Sequence, residues 1–357
     1  MAIFLLKERS KKYQRCFYRF CYGFLVELFK LYVCCLVRVP NSLKTKTESA
    51  KVKRAKYFEA HQVGRLSGHN DCVYTIVQGK EPHIIFSAAG DGMVAAWNLQ
   101  DLAHGQSMAQ VPASVYALHY LAETDTLLVA QNFEGIYAVQ VAEKKVIKAL
   151  KLTNAAIFDI QSDEKNSWIA CGDGMVIVLN RNYEVVAQLR LSEKSARTIA
   201  FHPTLPQVAI GYSDHYIRII DTRNFQLLVA WKAHENSVFS LQYINENQLL
   251  SAGRDAYLRL WNVPENYEQN KAIPAHLYTI NHIAVSPDEQ FVATAGLDKS
   301  IKIWRASDLK LLKVIDKARH AGHGTSINKL VWTSYHNWIV ACSDDRSISV
   351  WELNSIQ

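Results

Sequence analysis

Three absences narrow the class of this 357-residue chain. The first is a cysteine framework. Of seven cysteines, Cys16, Cys21, Cys34 and Cys35 crowd the first 35 residues, while Cys72, Cys171 and Cys342 are scattered through the rest. No spacing marks a disulfide scaffold or a zinc site. Cysteines used this way fit a reduced, cytoplasmic setting. The second is an uninterrupted apolar run. The segment 16–40 is aromatic and apolar, but Arg19, Glu27 and Lys30 break it. Placed as a span from Phe20 to Val37, it would carry Glu27 and Lys30 near mid-membrane, at a cost of about 2.5 kcal/mol or more each on insertion scales. The two are spaced i,i+3 and able to pair. The third is positive charge on the main body. The net charge is +7, but residues 1–56 hold 14 Lys/Arg and 3 Asp/Glu, which leaves 26 basic and 30 acidic residues for the remainder. A charge argument for nucleic-acid binding by the body therefore fails.

The N-terminal segment keeps three open readings: a membrane-surface or poorly spanning anchor with basic flanks, a helical or unstructured appendage, or sequence translated upstream of the native start. It is a poor secretory signal, because charges break the apolar region and no clear small-residue cleavage site follows. The polar, basic stretch 41–56 reads as a linker.

What the chain does have is a period. Asp91, Glu134, Asp173, Asp214, Asp255, Asp298 and Asp345 are separated by 43, 39, 41, 41, 43 and 47 residues. Six residues after each lies a repeated slot, filled by Trp97, Gln140, Leu179, Ile220, Trp261, Trp304 and Trp351. A fixed period of roughly 40–45 residues, built of short strands, is the mark of a β-propeller. The runs between turn residues are rich in Val, Ile, Tyr and Trp, as in VYTIV, TLLVAQ, MVIVLN and SISVWEL. Seven units are expected. The last lacks its fourth strand, and AKYFEAHQVGRL (55–66) is the candidate to complete it. Closure by the two chain ends would remove an open sheet edge. The expected fold is all-β: a seven-bladed propeller over 55–357, with a non-propeller extension over 1–54.

The repeats resemble the WD-repeat (WD40) propeller family over about 300 residues. The resemblance rests on Gly68-His69 and Gly322-His323, on His234 and His276, and on histidine-to-aspartate separations of 22, 21, 22 and 22. It implies a hydrogen-bonded chain of His, a strand-b hydroxyl, turn Asp and Trp. Blade one offers His69, Ser87, Asp91 and Trp97. Blade five offers His234, Ser251, Asp255 and Trp261, and blade six His276, Thr294, Asp298 and Trp304. Blade seven has His323, Asp345 and Trp351 but Ala341 at the hydroxyl position, so its chain is expected to be broken there. No Trp is followed by Asp. Blades two to four lack both the His and the Trp, and rest on the apolar pattern and the acid alone.

A His–Ser–Asp set invites a hydrolase reading, but here the set recurs with a Trp partner, which fits a repeated structural network better. His320 and His323 make only two metal ligands, so no metal is expected. Gly90-Asp91-Gly92 and Gly172-Asp173-Gly174 are tight turns rather than phosphate loops, since no helix follows. No cofactor is expected.

The functional signal lies on one rim, where the family often binds partners. Two positions per blade point there under the resemblance. The first holds Tyr74, Tyr116, Phe158, Arg197, Phe239, Asn281 and Asn328; the second holds Gly90, Phe133, Gly172, Ser213, Arg254, Leu297 and Asp344. Aromatics and Arg are enriched at interface hot spots. The expected partner-binding residues are Tyr74, Tyr116, Phe133, Phe158, Arg197, Phe239 and Arg254. The reading is a non-catalytic, cytoplasmic scaffold, a monomeric propeller within a complex, binding a protein or peptide and no nucleic acid. Two alternatives stand beside it. One is a membrane-tethered scaffold anchored by residues 16–40. The other is a propeller enzyme or small-molecule binder using the central channel. The latter needs convergent carboxylates or histidines at the channel mouth, where the sequence offers mostly aromatics and amides.

Overall fold

The computed structural model describes residues 57–356. The extension 1–54, with the anchor reading for 16–40, lies outside the described residues.

The closing strand β1 (Tyr57–Ser67) comes first. Blade one is β2 (Val73–Gln78), β3 (Ile84–Ala89), β4 (Met93–Asn98) and β5 (Asp101–Gln110). Blade two is β6 (Val115–Leu121), β7 (Thr126–Gln131), β8 (Gly135–Gln140) and β9 (Lys145–Leu150). Blade three is β10 (Ile157–Ser162), β11 (Asn166–Cys171), β12 (Met175–Asn180) and β13 (Val185–Arg190). Blade four is β14 (Ala196–Phe201), β15 (Gln207–Tyr212), β16 (Tyr216–Asp221) and β17 (Leu227–Lys232). Blade five is β18 (Val238–Asn245), β19 (Gln248–Gly253), β20 (Tyr257–Asn262) and β21 (Glu268–Pro274). Blade six is β22 (Ile280–Val285), β23 (Phe291–Gly296), β24 (Ile301–Arg305) and β25 (Leu311–Ile315). After the single turn of helix α1 (Lys317–His320), blade seven is β26 (Ile327–Trp332), β27 (Ile339–Ser343) and β28 (Ser347–Ile356), with β1 as its outer strand. Each blade is a four-stranded antiparallel sheet, and the seven form a closed propeller.

The acid period has a local cause. The Asp side chain accepts the backbone N–H two residues on: Met93, Met175, Tyr216, Tyr257, Ser300 and Ser347 donate at 2.9–3.2 Å. The residue between is left-handed in every blade: Gly92, Gly135, Gly174, His215, Ala256, Lys299 and Arg346 have φ from 65° to 87°. Short acceptors suit such turns, which is why six of the seven acids are Asp. Glu134 is the exception, and its carboxylate instead meets Lys151 at 3.4 Å.

Cores sit between blades rather than inside them. One cluster joins blades seven and one through Val73, Ile76, Ile85, Val340, Ile348 and Val350, and six others fill the remaining junctions. The inner three strands of a blade are therefore apolar on both faces, as in TLLVAQ, which is buried throughout. Outer strands such as β9 are exposed along most of their length. Two of them, β5 and β21, carry too little apolar signal for the sequence to mark.

Strand β1 is held on both faces. Phe58 packs in the junction of blades six and seven, edge-on to Phe291 at 4.9 Å. Leu66 packs in the junction of blades seven and one. Eight residues apart, they would share one face of a regular strand. A bulge shifts the register between Gln62 and Gly64, and the extra residue, Val63, reverses the parity.

Candidate functional site

Seven innermost strands line the channel, and each carries a bulge near its start. The register skips Tyr74, Tyr116, Phe158, Arg197, Phe239, Asn281 and Asn328. These are the seven residues of the first rim position. A bulge leaves one residue outside the ladder and re-aims its side chain. Here it turns all seven toward the channel, where they line one cavity of about 760 Å³.

The residue after the bulge ties five of the seven blade junctions. Asp159, Thr198, Ser240 and His282 each accept the backbone N–H of the next blade, from Ile199 (2.8 Å), Leu241 (3.2 Å), Ile283 (3.0 Å) and Leu330 (3.3 Å). Lys329 continues the pattern, its Nζ donating to Thr75 of blade one at 3.4 Å. Each such bond is worth about 1 kcal/mol net. Together they fix where the bulged residues stand.

Five of the seven form an arc. Tyr74 meets Tyr116 edge-on at 4.8 Å, and Tyr116 stacks on Phe158 at 6.1 Å. The Arg197 guanidinium lies over Phe158 at 3.8 Å and over Phe239 at 4.6 Å. Asn281 and Asn328 are used internally. Asn281 donates to Ser326 Oγ and Ile327 O, while Asn328 donates to Val73 O and Asp344 Oδ1. Phe133 lines the same cavity, with its side chain more than half exposed. Arg254 does not line it and stands exposed nearby. Burial, reinforced by the positive charge of Arg254, lowers the Arg197 pKa to about 10. The Arg197 side chain makes no hydrogen bond or ion pair with any described residue.

The channel is less plain than the sequence suggested. Asp159, His282 and Lys329 also line it, so aromatics and amides are not its whole chemistry. Their signal was the strand position one past each rim residue. Burial raises the Asp159 pKa, and burial with the Lys329 charge lowers that of His282 to about 3. Both are already committed to inter-blade hydrogen bonds. A second omission is the exposed pair Leu277 and Tyr278 of blade six, on which the rim residue Leu297 is exposed as well.

The histidine networks lie beneath the same rim. In blade five, His234 Nδ1 faces Asp255 at 2.9 Å and its Nε2 faces Ser251 Oγ at 2.7 Å, and the Trp261 indole donates to the same hydroxyl at 2.8 Å. Blade six repeats this with His276, Asp298, Thr294 and Trp304 at 2.9, 2.7 and 2.8 Å. In blade one, His69 and Trp97 both reach Ser87 at 2.7 Å, but His69 Nδ1 stands 3.6 Å from Asp91. Burial opposes ionisation of Asp255 and Asp298. The hydrogen bonds and charges around them outweigh it and hold both carboxyls below the usual range.

Blade seven corrects an expectation. Ala341 does not break its network. Ser349, the cross-strand partner of Ala341, supplies the hydroxyl from β28 instead. It lies 2.8 Å from His323 Nε2 and accepts the Trp351 indole at 2.7 Å, while His323 Nδ1 faces Asp345 at 2.8 Å. The equivalent cross-strand position in blades five and six holds Arg259 and Lys302, which pair with the turn acids at 2.7 and 3.6 Å. With that position taken by serine, the cation comes from the closing strand: Arg65 stands 3.5 Å from Asp345. Blade four, which lacks the histidine, holds Asp214 with a bidentate Arg218 at 3.1 and 2.7 Å.

These hydroxyls are sealed. Ser87, Ser251, Thr294 and Ser349 are all fully buried, so no substrate reaches them as nucleophiles.

Comparisons agree with this architecture. The family pattern "WD domain, G-beta repeat" matches residues 225–262, 267–305 and 315–352. Protein HIR1 of Cryptococcus neoformans var. neoformans serotype D (strain JEC21 / ATCC MYA-565) is 26% identical over 193 residues, covering 45% of this chain and 21% of that protein. Human striatin is 24% identical over 252 residues, covering 68% of this chain and 28% of that protein. The chain thus spans less than a third of the length of either. In fold it is similar to the crystal structure of the WD40 beta propeller domain of Doa1. The TM-score is 0.74 at 16% identity, over 82% of this chain and 97% of that one.

Proposed function

We propose that this chain, a WD-repeat β-propeller, is a non-catalytic scaffold that captures a protein or peptide at the channel mouth. The propeller domain is taken as 55–357, with 1–54 as an extension. Tyr74, Tyr116, Phe133, Phe158, Arg197 and Phe239 form the contact surface, with Arg254 at its edge. The observation that carries the reading is the arc from Tyr74 to Phe239, set on bulges of the innermost strands. Rings and a guanidinium held in place before binding cost little ordering entropy when a partner arrives. The scaffold acts as one propeller within a complex, in the cytoplasm. Its described cysteines suit that setting: Cys171 and Cys342 are buried, and burial pushes both thiols up to about 12. Among the described residues, no helix is long and apolar enough to cross a membrane.

The test is affinity capture with mass spectrometry, using the full chain and a Tyr116→Ala/Phe158→Ala/Arg197→Ala variant. Thermal melts verify that the variant folds. Proteins held by the native chain and lost by the variant support the reading. Identical captures from both refute it.

A further inference from the structure

We infer that the mouth recognises an acidic side chain, an aspartate or glutamate in an extended segment of the partner, through Arg197. This rests on the proposed capture at the channel mouth and adds the chemistry of what is captured. Phe158 on blade three and Phe239 on blade five lie to either side of Arg197 on blade four, with the guanidinium carbon 3.8 and 4.6 Å from the two ring centroids. The two phenyl rings carry no oxygen or nitrogen to accept from it, so they leave its N–H donors free. No described residue takes them. A planar fork of unused N–H donors matches the two oxygens of a carboxylate. The rings hold the fork still, so little freedom is lost when the acid arrives.

The charges around the mouth give the segment a direction. Arg197 and Arg254 mark the side of blades four and five. Asp71 and Asp344 mark the side of blades seven and one, close enough to Tyr74 to act on its hydroxyl. Asp71 also leans over Gly90, where an added Cβ would stand 2.5 Å from its carboxylate oxygen. On that opposite side Lys329 also lines the cavity, its Nζ donating to Thr75 at 3.4 Å, so the acids there act beside a cation. Arg197 is the cation whose side chain has no described hydrogen-bond partner, and an acidic residue is drawn to it. A phosphate dianion would feel the attraction and the repulsion alike twice over, so the field alone does not choose between the two anions. The carboxylate is named because its two oxygens match one planar fork of N–H donors.

The test is selection from a peptide library by the full-length chain. One position of the library varies among Glu, Gln, Asp, Asn and phosphoserine, on randomised flanks. The native chain is expected to prefer Glu or Asp over the amides roughly tenfold or more, the worth of a charge-assisted pair. Arg197→Met, which keeps an apolar stem between the rings, should erase that preference. Arg197→Lys should retain part of it. Thermal melts show that both variants fold. Enriched peptides with no acid preference, or a preference surviving Arg197→Met, would overturn the inference while leaving capture at the mouth intact. Preference for phosphoserine over glutamate would overturn it in favour of a phosphate. Self-association in sedimentation that Arg197→Met abolishes, with no peptide enriched, would place a second copy there instead. No peptide enriched and no self-association, or enrichment indifferent to Tyr116→Ala/Phe158→Ala, would overturn both the inference and the reading beneath it.

Discussion

Ser349→Ala isolates the rerouted network of blade seven. The serine hydroxyl is fully buried, lies 2.8 Å from His323 Nε2 and accepts the Trp351 indole N–H at 2.7 Å. With the His323 Nδ1 proton donated to Asp345, Nε2 accepts the serine hydroxyl and the chain is complete. Removing that hydroxyl leaves the Trp351 N–H without an acceptor, and Trp351 is itself fully buried, so water cannot replace it. A buried unsatisfied donor costs about 1–3 kcal/mol. His323 retains its Nδ1 bond to Asp345 at 2.8 Å, so its loss is smaller. We expect a destabilisation of about 2 kcal/mol, read as a lower guanidinium midpoint at unchanged slope. The decisive arm is Ala341→Ser in the Ser349→Ala background. It moves the hydroxyl back across the strand pair to the position used by Ser87, Ser251 and Thr294, and should recover at least half of the loss. A Ser349→Ala midpoint equal to that of the native chain would refute the reasoning. So would a double variant no more stable than Ser349→Ala.

Other outcomes follow from the same geometry. Deleting Val63 removes the bulge of β1 and places Phe58 and Leu66 on one face, so one of the two junctions loses its anchor. The loss should match that of Phe58→Ala, about 3 kcal/mol or more, with aggregation from the opened edge detectable by light scattering. Arg218→Ala leaves Asp214 half-buried without its cation and should cost about 1–3 kcal/mol. Adding Asp214→Asn should restore part of it, as a double-mutant cycle would show. Stability should fall with acidification. Burial lowers the pKa values of His234, His276 and His282 from 6.5, the last to about 3. The unfolded chain therefore takes up these protons first. Their contribution is complete above pH 6.5 and is lost as pH falls toward the folded values, by at most about 1.4 kcal/mol per pH unit for each group. Asp159, with its pKa raised by burial, works in the opposite sense and offsets part of the loss. Guanidinium midpoints between pH 7.5 and 4.5 check the sign, and His282→Gln should flatten the slope.

The sequence by itself determined the fold. The acids recur because a turn with a left-handed residue closes every inner hairpin and an Asp caps it in six of the seven, and that chemistry is local. The apolar runs of the three inner strands are equally legible, since both of their faces are buried between blades. The pairing of β1 with β28 was readable from one missing strand at one end and one spare strand at the other. The candidate rim residues were legible too, through the place they hold in the repeat. Tertiary structure decided how neighbouring strands and blades share side chains. The hydroxyl of blade seven comes from the paired strand, because Ala341 and Ser349 are adjacent in space and eight residues apart in sequence. The cation for Asp345 comes from Arg65, 280 positions earlier in the numbering, because ring closure makes β1 its neighbour. Asp159, His282 and Lys329 face the channel because bulges reset the strand parity there. The guanidinium of Arg197 lies between Phe158 and Phe239 only because blades three, four and five stand side by side. Local turns and burial patterns act over a few residues and are written in the chain. Contacts across blades depend on closing the ring, and no short window of sequence carries them.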